Sequence, residues 1–404
     1  MKRKLINSLS MALIALPLLA GCSGETEAIK LVVWEDQSNI EMLETIADEF
    51  IAFYKRTYPS APSFTIEFQS QSEKSAVERL GTIANTGTEP DIVAFTHDTT
   101  ATAAAAKLFA PISYSHEVNN THNAEAVGAF SIGGVLYAYP NVTESITLMY
   151  DKRKIDAADL ASFSALKTSG EKIGLTAQEV DSAYYMWGLC TDSVLFGPNF
   201  NQPTNVDIAT SQSVANYTSF LNNYAGNVLS TSAEGALSLI QASGANSVAG
   251  FVSSPFMYPQ LQAAIGEANA GLAILPSIDG IDQRPFSGFK GYGVVSYSKH
   301  PSLAQDFARY LTSEDAQYWR LVQKSYLPTL SSDRIEQFIA EDEALSVFKQ
   351  SYENSMPMPT IAAMANFWSP MQTACTNLWK MAGSATISSV EEKLEEVTSR
   401  ILNG

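Results

Sequence analysis

Hydrophobic periodicity changes repeatedly along the first part of the chain. Strand-like apolar segments at 30–34, 64–69 and 91–95 are separated by stretches of helical periodicity at 40–58 and 72–85. Alternation of strands with helices of this length is typical of a sheet whose neighbouring strands run parallel. This part of the chain therefore predicts an α/β lobe built on a parallel sheet.

A second series of strand-like segments follows, and the pattern becomes mostly helical after residue 301. The segments fall at 135–140, 146–150, 172–175, 247–251, 272–275 and 291–296. A chain of 404 residues also exceeds the roughly 250–300 residues at which a single core stops growing. We therefore predict two α/β lobes, each a mostly parallel sheet flanked by helices, with a cleft between them.

The loops that follow the strands of the first lobe carry polar side chains. Ligands of parallel sheets bind at the carboxyl ends of the strands. Candidate ligand contacts are therefore Glu35 and Asp36 after the first strand, 69–71 after the second and 96–99 after the third. The first and third of these loops contain acids, which can accept hydrogen bonds from a ligand.

The first 22 residues have the pattern of an export signal. Three basic residues at 2–4 precede a mostly apolar stretch at 5–20, which ends in Leu-Ala-Gly-Cys. This ending resembles the lipobox of bacterial lipoproteins, which implies that 1–21 are removed and that Cys22 becomes the lipidated first residue. We expect an exported protein, lipid-anchored to the bacterial membrane and facing the extracellular side or the periplasm. An ordinary signal peptide is the alternative.

The net charge narrows the classes of partner. The chain has 42 acidic and 25 basic residues, and removal of 1–21 would leave 22 basic residues and a net charge of −20. A field of this sign argues against nucleic acid and anionic lipid headgroups as partners. It is compatible with a neutral or a cationic ligand and does not choose between them.

Sequence motifs of catalysis and metal binding are absent. The chain has no HExxH, GxSxG, P-loop or EF-hand pattern, and its histidines and cysteines show no metal-ligand spacing. Cys190 and Cys375 form either a disulfide or a pair of buried free thiols. We interpret the glycine-rich segment 288–293 as a flexible connection that enters a strand. The sequence predicts neither an enzyme nor a bound metal or cofactor.

Aromatic residues at the starts of helices are better candidates for a binding site. Tyr184 and Tyr185 open one predicted helix, Phe256 follows a strand, and Trp368 lies just before another helix. Flat rings stack on the apolar faces of sugars, and nearby carboxylates accept hydrogen bonds from sugar hydroxyl groups. Each ring could equally belong to the core. Trp319, within a helical stretch, is interpreted as a packing residue.

Four blocks of sequence point to a known family. They are PDIVAFTHD at 90–98, GVLYAYP at 134–140, TESITLMY at 143–150, and MPMP at 356–359 with the Phe-Trp pair that follows it. In these blocks the chain resembles the maltose/maltodextrin-binding proteins, the solute-binding subunits of bacterial ABC importers, and the similarity runs from Leu31 to the C-terminus. The resemblance implies a two-lobe periplasmic-binding-protein-like fold of type II.

The resemblance also implies how the chain is divided. It places three crossings between the lobes, near 141–145, 284–290 and 325–329. The full expected division is a signal peptide at 1–21 with its lipobox at 19–22, a linker at 22–29, lobe 1 at 30–142 and 291–325, and lobe 2 at 146–285 and 330–404.

The family's sugar-contacting residues fall on seven positions of this chain. The resemblance assigns the acids to Asp36, Asp98 and Glu144, and the stacking aromatics to Phe95, Tyr184, Phe256 and Trp368. The phenylalanines at 95 and 256 stand where the family has tryptophan, and Thr99 stands where it has arginine. Phenylalanine offers a smaller face and no indole N–H, so the resemblance leaves the particular sugar open.

The resemblance implies a lipid-anchored solute-binding protein that captures an oligosaccharide by hinge closure and delivers it to the transmembrane subunits of an ABC permease. We expect a monomer that contacts the membrane only through its lipid. A second hypothesis is a binding protein for a cationic ligand such as a polyamine or a metal ion. The remaining alternatives are a surface glycoside hydrolase that uses Asp98 and Glu144, and an adhesin or signalling lipoprotein.

Overall fold

The computed structural model describes residues 29–403. The predicted signal peptide, Cys22 and the linker before Ile29 lie outside the described residues. Within 29–403, no helix combines the length and the apolar character that crossing a bilayer requires.

Sixteen strands are present in the described part of the chain, several of them only two residues long. They are β1 (Ile29–Glu35), β2 (Phe64–Ser70), β3 (Ile92–Thr96), β4 (Ser131–Ile132), β5 (Val135–Leu136), β6 (Tyr139–Ser145), β7 (Thr147–Asp151), β8 (Ile173–Leu175), β9 (Val194–Leu195), β10 (Val206–Asp207), β11 (Val228–Ser230), β12 (Gly250–Ser253), β13 (Ala270–Ala273), β14 (Phe286–Val294), β15 (Leu327–Pro328) and β16 (Met356–Pro357).

Sixteen α-helices complete the described fold. They are α1 (Ile40–Thr57), α2 (Glu73–Ile83), α3 (Thr100–Ala105), α4 (Ser115–Thr121), α5 (Ala124–Ala129), α6 (Phe163–Ser169), α7 (Ser182–Tyr185), α8 (Ser211–Ser219), α9 (Ala233–Ile240), α10 (Tyr258–Ile265), α11 (Pro301–Leu311), α12 (Glu314–Lys324), α13 (Asp333–Glu341), α14 (Glu343–Glu353), α15 (Trp368–Trp379) and α16 (Ile387–Asn403).

Lobe 1 is built on a seven-stranded sheet with the order β15-β6-β14-β3-β1-β2, in which β16 also pairs with β14. Strands β1, β2 and β3 run parallel, as their alternation with helices predicts. Strand β14 runs antiparallel to both of its long neighbours, β3 and β6. The sheet of lobe 1 is therefore mixed, with its parallel part confined to the strands before residue 100 and the short β14–β16 pair. The chain comes to β14 from lobe 2, so β14 begins at the edge of the sheet that faces the cleft. Strands β3 and β6 end at this edge, and β14 therefore runs antiparallel to both.

Lobe 2 is built on a five-stranded sheet with the order β11-β8-β12-β7-β13. Strands β11, β8 and β12 are parallel, whereas β7 is antiparallel to both β12 and β13. This sheet is mixed for the same reason, since β7 enters it directly from lobe 1. Helices α7, α15 and α16 cover one side of lobe 2, with buried side chains from all three in one core.

An expected crossing and a segment interpreted as a flexible connection both lie in strands. Residues 141–145 belong to β6, whose polar side chains Asn141, Thr143 and Ser145 are buried, and β7 of the other sheet begins only two residues later. The glycine-rich segment 288–293 lies inside β14, where it pairs on both sides. Glycine is needed there because a Cβ at Gly293 would come within 2.7 Å of the Phe109 ring.

The structure shows which of the cysteines and tryptophans considered in the sequence are buried. Cys190 and Cys375 are both buried in lobe 2 and carry free thiols. Trp187 packs fully inside the same core. Trp319 on α12 is 41% exposed, so its interpretation as a packing residue is wrong. The helical pattern around Trp319 correctly predicts a helix, but it does not predict that the ring points towards solvent.

Candidate functional site

A buried hydrogen-bond chain supports the loop after β1. The Glu35 carboxylate is 1% exposed and accepts hydrogen bonds from the Asp36 backbone N–H (3.0 Å), from Asn39 Nδ2 (3.0 Å) and from the Tyr292 hydroxyl (2.6 Å). The Tyr292 hydroxyl in turn accepts from an Arg320 guanidinium nitrogen at 2.9 Å. Burial raises the pKa of Tyr292, so its hydroxyl remains a donor. The buried Glu35 carboxylate therefore fixes the conformation of the loop through its bonds to Asp36 and Asn39.

Asp36 and Asp98, two of the predicted ligand acids, lie at the carboxyl ends of β1 and β3. Asp36 is half-buried, and its Oδ1 accepts from the Ser38 N–H (3.0 Å) and hydroxyl (2.7 Å), which caps a short helical turn. Asp98 is exposed in the turn after β3. Among residues 29–403 neither carboxylate has a salt-bridge partner, so both can accept hydrogen bonds from a ligand.

Four side chains form what we call the central charge cluster: Glu73, Glu144, Lys290 and Tyr326. Lys290 Nζ lies 2.8 Å from Glu73 Oε2 and 3.2 Å from Glu144 Oε1, and the ammonium lies 5.5 Å from the centre of the Tyr326 ring. The three charged side chains are only 12–18% exposed. An ammonium ion shared by two carboxylates at these distances binds both strongly.

The protonation of the central charge cluster follows from its burial. Burial by itself would lower the pKa of Lys290, but Glu144 and Glu73 outweigh it and hold that pKa well above its usual value. Burial raises the pKa of Glu73 to about 7, against the opposing effect of Lys290. Lys290 is therefore charged at neutral pH, whereas Glu73 is close to its titration midpoint.

An aromatic wall on the lobe 2 side consists of the half-buried Tyr184 and Trp368 with the buried Phe286 behind them. The ring centres of Tyr184 and Trp368 each lie 6.1 Å from that of Phe286. Phe286 stacks on the buried Trp187 at 4.9 Å, and Phe367 closes the cluster with edge contacts to Trp187 and Phe286. The structure thus brings together Tyr184 and Trp368, which are 184 positions apart in the sequence.

Tyr184 links the aromatic wall to the acids. Its hydroxyl donates to the Phe286 carbonyl oxygen at 3.3 Å. Burial raises the pKa of Tyr184, and the negative charges of Glu144 and Asp98 raise it further, because all three groups lie near one another. The Tyr184 hydroxyl of lobe 2 therefore lies within electrostatic range of two lobe 1 carboxylates.

The expected stacking role of Phe95 is wrong for this structure. Phe95 is completely buried in the lobe 1 core, where its ring lies 4.7 Å from Phe109 and 5.4 Å from Phe130. A phenylalanine has no polar atom that must reach water or ligand, so the core can accept it. Phe256, by contrast, is 40% exposed in the turn after β12, but it has no ring contact with the aromatic wall among the described residues.

His97 is a residue whose role the sequence did not indicate. It is 1% exposed, its Nδ1 accepts from the Phe289 N–H at 3.1 Å, and its Nε2 lies 3.2 Å from the Met358 carbonyl oxygen. This arrangement requires the neutral tautomer with the proton on Nε2. Burial lowers the pKa of His97, which favours that neutral form. His97 ties the end of β3 to the segment that leads to Trp368.

Several buried polar atoms around these groups have no hydrogen-bond partner among residues 29–403. Among them are Asn39 Oδ1 and Asn141 Oδ1 in lobe 1, Ser182 Oγ in lobe 2 and Ser287 Oγ near the start of β14. Buried polar groups are usually paired, and an unpaired one costs free energy. Each of these atoms would therefore gain from a hydrogen-bonding partner.

The same side chains are poorly arranged for a metal ion. Within 29–403 no group of three or more His, Cys, Asp or Glu side chains is placed to hold one. The two closest cluster carboxylates, Glu73 and Glu144, already share the Lys290 ammonium. The arrangement suits hydrogen bonding and ring stacking.

Comparison with known proteins adds a family and a set of relatives. A family model described as a bacterial extracellular solute-binding protein matches residues 50–346. A galactooligosaccharide-binding protein of Bacillus subtilis is 23% identical over 388 residues, covering 91% of this chain and 88% of its own. A maltotriose-binding protein of Pyrococcus abyssi is 22% identical, covering 93% and 83%.

Solved structures share the fold. A maltodextrin-binding protein from L. casei, determined without ligand, superposes with a TM-score of 0.79 at 19% identity and covers 93% of this chain and all of its own. A cyclo/maltodextrin-binding protein complexed with maltotetraose gives 0.75 at 23% identity, covering 94% and 98%. The two-lobe α/β fold implied by the resemblance is confirmed, with mixed rather than mostly parallel sheets.

Proposed function

The chain belongs to the bacterial extracellular solute-binding proteins, and we propose that it captures a neutral oligosaccharide between its two lobes for an ABC sugar importer. Members of this family bind solutes and are not enzymes, which removes the glycoside hydrolase alternative. The observation that carries the proposal is the aromatic wall of Tyr184 and Trp368, whose Tyr184 hydroxyl lies within electrostatic range of the carboxylates of Glu144 and Asp98.

The chemistry of a sugar ring matches both sides of this site. The apolar C–H face of a pyranose stacks on the flat rings of the aromatic wall. Its hydroxyl groups can donate to the carboxylates of Asp36, Asp98 and Glu144, the last of which also pairs with Lys290. Each hydrogen bond to a carboxylate contributes roughly 1.5–3 kcal/mol, so a few of them suffice for capture.

The position of Lys290 favours a neutral ligand over a cationic one. The overall charge of −17 would attract a polyamine. Within the site, however, the Lys290 ammonium already balances Glu73 and Glu144 at 2.8 and 3.2 Å. A cationic ligand would have to displace it or approach it as a like charge. Most of the 42 acidic residues lie outside the central charge cluster. Binding of a polyamine is therefore measured alongside sugar binding.

We propose hinge closure as the mechanism of capture. The chain passes from lobe 1 to lobe 2 between β6 and β7, returns at β14, and leaves again after β15. These positions support crossings near 141–145, 284–290 and 325–329. A ligand that contacts both lobes binds only the closed state fully, so it shifts the population towards closure. The closed monomer would then present the sugar to the permease.

The lipid anchor at Cys22 completes the proposal and rests on the sequence pattern alone. A tether keeps the binding protein at high local concentration near its permease. Replacement of Cys22 by serine should release a protein that binds sugar normally but imports it poorly. Fractionation of cells that express the variant, together with uptake of labelled sugar, tests this. Undiminished uptake by a released protein would contradict the need for an anchor.

Titration calorimetry with a ligand panel tests the binding function. We expect a maltodextrin or galacto-oligosaccharide of two to four units to bind with a Kd on the order of 1 μM, and spermidine not to bind. The test variant is Glu144→Gln, which keeps the shape of the side chain but removes its charge. It should weaken sugar binding at least about tenfold relative to the wild type. Binding of spermidine alone would overturn the proposal in favour of a cationic ligand.

A further inference from the structure

Lobe 1 carries a second concave aromatic site far from the cleft. A cavity of about 260 Å³ lies between the end of α1, the start of α4 and the end of α11. We call it the outer aromatic pocket, and its main lining residues are Phe53, Tyr54, Tyr58, Tyr114, Asp306 and Tyr310. Phe53 and Tyr58 are 43% and 52% exposed and lie in the same pocket, so their faces form one contiguous exposed aromatic surface.

The outer aromatic pocket lies at the opposite end of lobe 1 from the cleft. The ring of Tyr54 lies 5.3 Å from that of Phe64, the first residue of β2, which pairs with Ile29 at the start of β1. Glu35, at the other end of β1, supports the cleft loop. Six steps of about 3.3 Å along this strand separate the two ends by about 20 Å. A short ligand cannot occupy both sites.

The polar groups of the pocket are only partly used by the protein. The Tyr114 hydroxyl donates to Asp306 Oδ1 at 2.5 Å, but Asp306 Oδ2 has no partner among residues 29–403. The hydroxyl groups of Tyr54, Tyr58 and Tyr310 also make no hydrogen bond within the described residues. The pocket thus offers a carboxylate acceptor, several hydroxyl groups and exposed ring faces.

We propose that the outer aromatic pocket is a second carbohydrate site, which holds one hexose ring independently of the cleft. A pyranose ring supplies an apolar face for Phe53 and Tyr58 together with hydroxyl groups that both donate and accept. The volume is slightly below the roughly 300 Å³ at which drug-sized pockets begin, which suits one ring rather than a chain.

The charges around the pocket distinguish a sugar from other occupants. An ammonium ligand would pair with Asp306, but it has no acceptor atoms for the tyrosine hydroxyl groups. It would also meet the Arg309 guanidinium, which lies 4.5 Å from the Tyr114 ring centre and is held by Glu117 at 2.6 Å. An anionic membrane surface would be repelled by Asp306 and would not enter a concave site.

Saturation-transfer NMR on the full chain tests the proposal with the methyl glycosides of glucose, galactose and mannose. The chain carries Trp368→Ala to weaken the cleft. We expect at least one glycoside to bind with a Kd on the order of 1 mM, as its small number of atoms allows. Adding Phe53→Ala with Tyr58→Ala should reduce its signal at least about fivefold. Trp319→Ala, which also removes an exposed ring, is the matched control and should leave the signal unchanged.

Two further measurements complete the test. In the otherwise unmodified chain, Phe53→Ala with Tyr58→Ala should leave oligosaccharide binding in the cleft within about twofold, since both residues are surface-exposed and distant from it. Asp306→Asn should weaken glycoside binding without loss of folding by circular dichroism. The proposal is overturned if no glycoside gives saturation transfer, if the double substitution leaves the signal intact, or if tetraethylammonium binds there and the glycosides do not.

Discussion

Lys74 and Asp181 face each other from the two lobes, with the lysine Nζ 3.7 Å from the aspartate Oδ2. Lys74 is in the first turn of α2 in lobe 1, and Asp181 precedes α7 in lobe 2. Both side chains are largely exposed, at 81% and 58%, so water and salt screen their attraction. We therefore expect the pair to adjust the proposed closure without determining it.

Charge reversal at this pair should change sugar affinity modestly and in a salt-dependent way. We expect Asp181→Lys to weaken binding about two- to fivefold at low salt, because two cations would then oppose closure. The double variant Lys74→Asp with Asp181→Lys should restore it. Titrations at about 0.02 M and about 0.5 M salt measure both effects. Equal affinity of the single variant and the wild type at low salt would show that the two residues do not approach each other in solution.

Loss of the Trp368 ring should weaken oligosaccharide binding by about five- to tenfold, since stacked aromatic contacts contribute roughly a kcal/mol beyond simple burial. The change should appear in the Kd from calorimetry under conditions where the variant is fully folded, because loss of the ring contacts with Phe286 and Phe367 also lowers the urea midpoint. Trp319→Ala is the control for sugar binding, because it removes an equally large ring from the exposed face of α12. If both variants bind sugar like the wild type, Trp368 does not contact the ligand.

The raised pKa of Glu73 predicts an unusual pH dependence. Because the folded pKa is about 7 and the unfolded one is near 4.3, the folded chain holds this proton more tightly. Its contribution to stability is therefore full below about pH 4 and is lost as the pH rises through about 7.

Glu73→Gln, which stays neutral, should not show this loss. We expect the free energy of unfolding of the wild type, relative to the variant, to fall by about 2–4 kcal/mol between about pH 4 and pH 8 and to be flat above. Urea titrations of both proteins across this range measure the difference, in which titrating groups away from the central charge cluster cancel. Parallel pH profiles for the two proteins would be inconsistent with a raised pKa at Glu73.

Phe95 and Phe256 should respond in opposite ways to truncation. Phe95→Ala removes a fully buried ring and should reduce the free energy of unfolding by about 3–5 kcal/mol. Phe256→Ala removes an exposed ring and should change it by less than about 0.5 kcal/mol. Chemical denaturation compares them directly. A large loss at Phe256 together with a small loss at Phe95 would reverse the assignment of core and surface.

The sequence predicts those parts of the fold and site that depend on local pattern. Alternating periodicity locates β1, β2 and β3 and the helices between them, and it places Asp36 and Asp98 at the carboxyl ends of strands. Tyr184 and Trp368 are found because each lies at the start of a helix. In each of these cases a short window of sequence contains the necessary information.

Lys290, Glu35 and Phe95 show what short windows miss. Lys290 acts through Glu73 and Glu144, and no local pattern can bring together residues more than 140 positions from it. Glu35 and Asp36 are adjacent acids, and only the packing around Tyr292 determines which of them is buried. The family resemblance places Phe95 among the stacking rings, but a ring in a strand with buried residues on both faces can belong to the core.

The central charge cluster limits how this protein can change its ligand. Glu144, Lys290 and Tyr326 belong to β6, β14 and the residues just before β15, the same three neighbouring strands that lead into and out of lobe 1. A substitution there alters hinge and affinity together. The two half-buried rings of the aromatic wall, Tyr184 and Trp368, stand on helices of lobe 2, and only the buried Phe286 behind them belongs to a crossing strand, β14. We therefore expect changes of sugar preference to arise by substitution of Tyr184 and Trp368. Substitutions in β6, β14 and β15 would also affect the hinge and should be tolerated less.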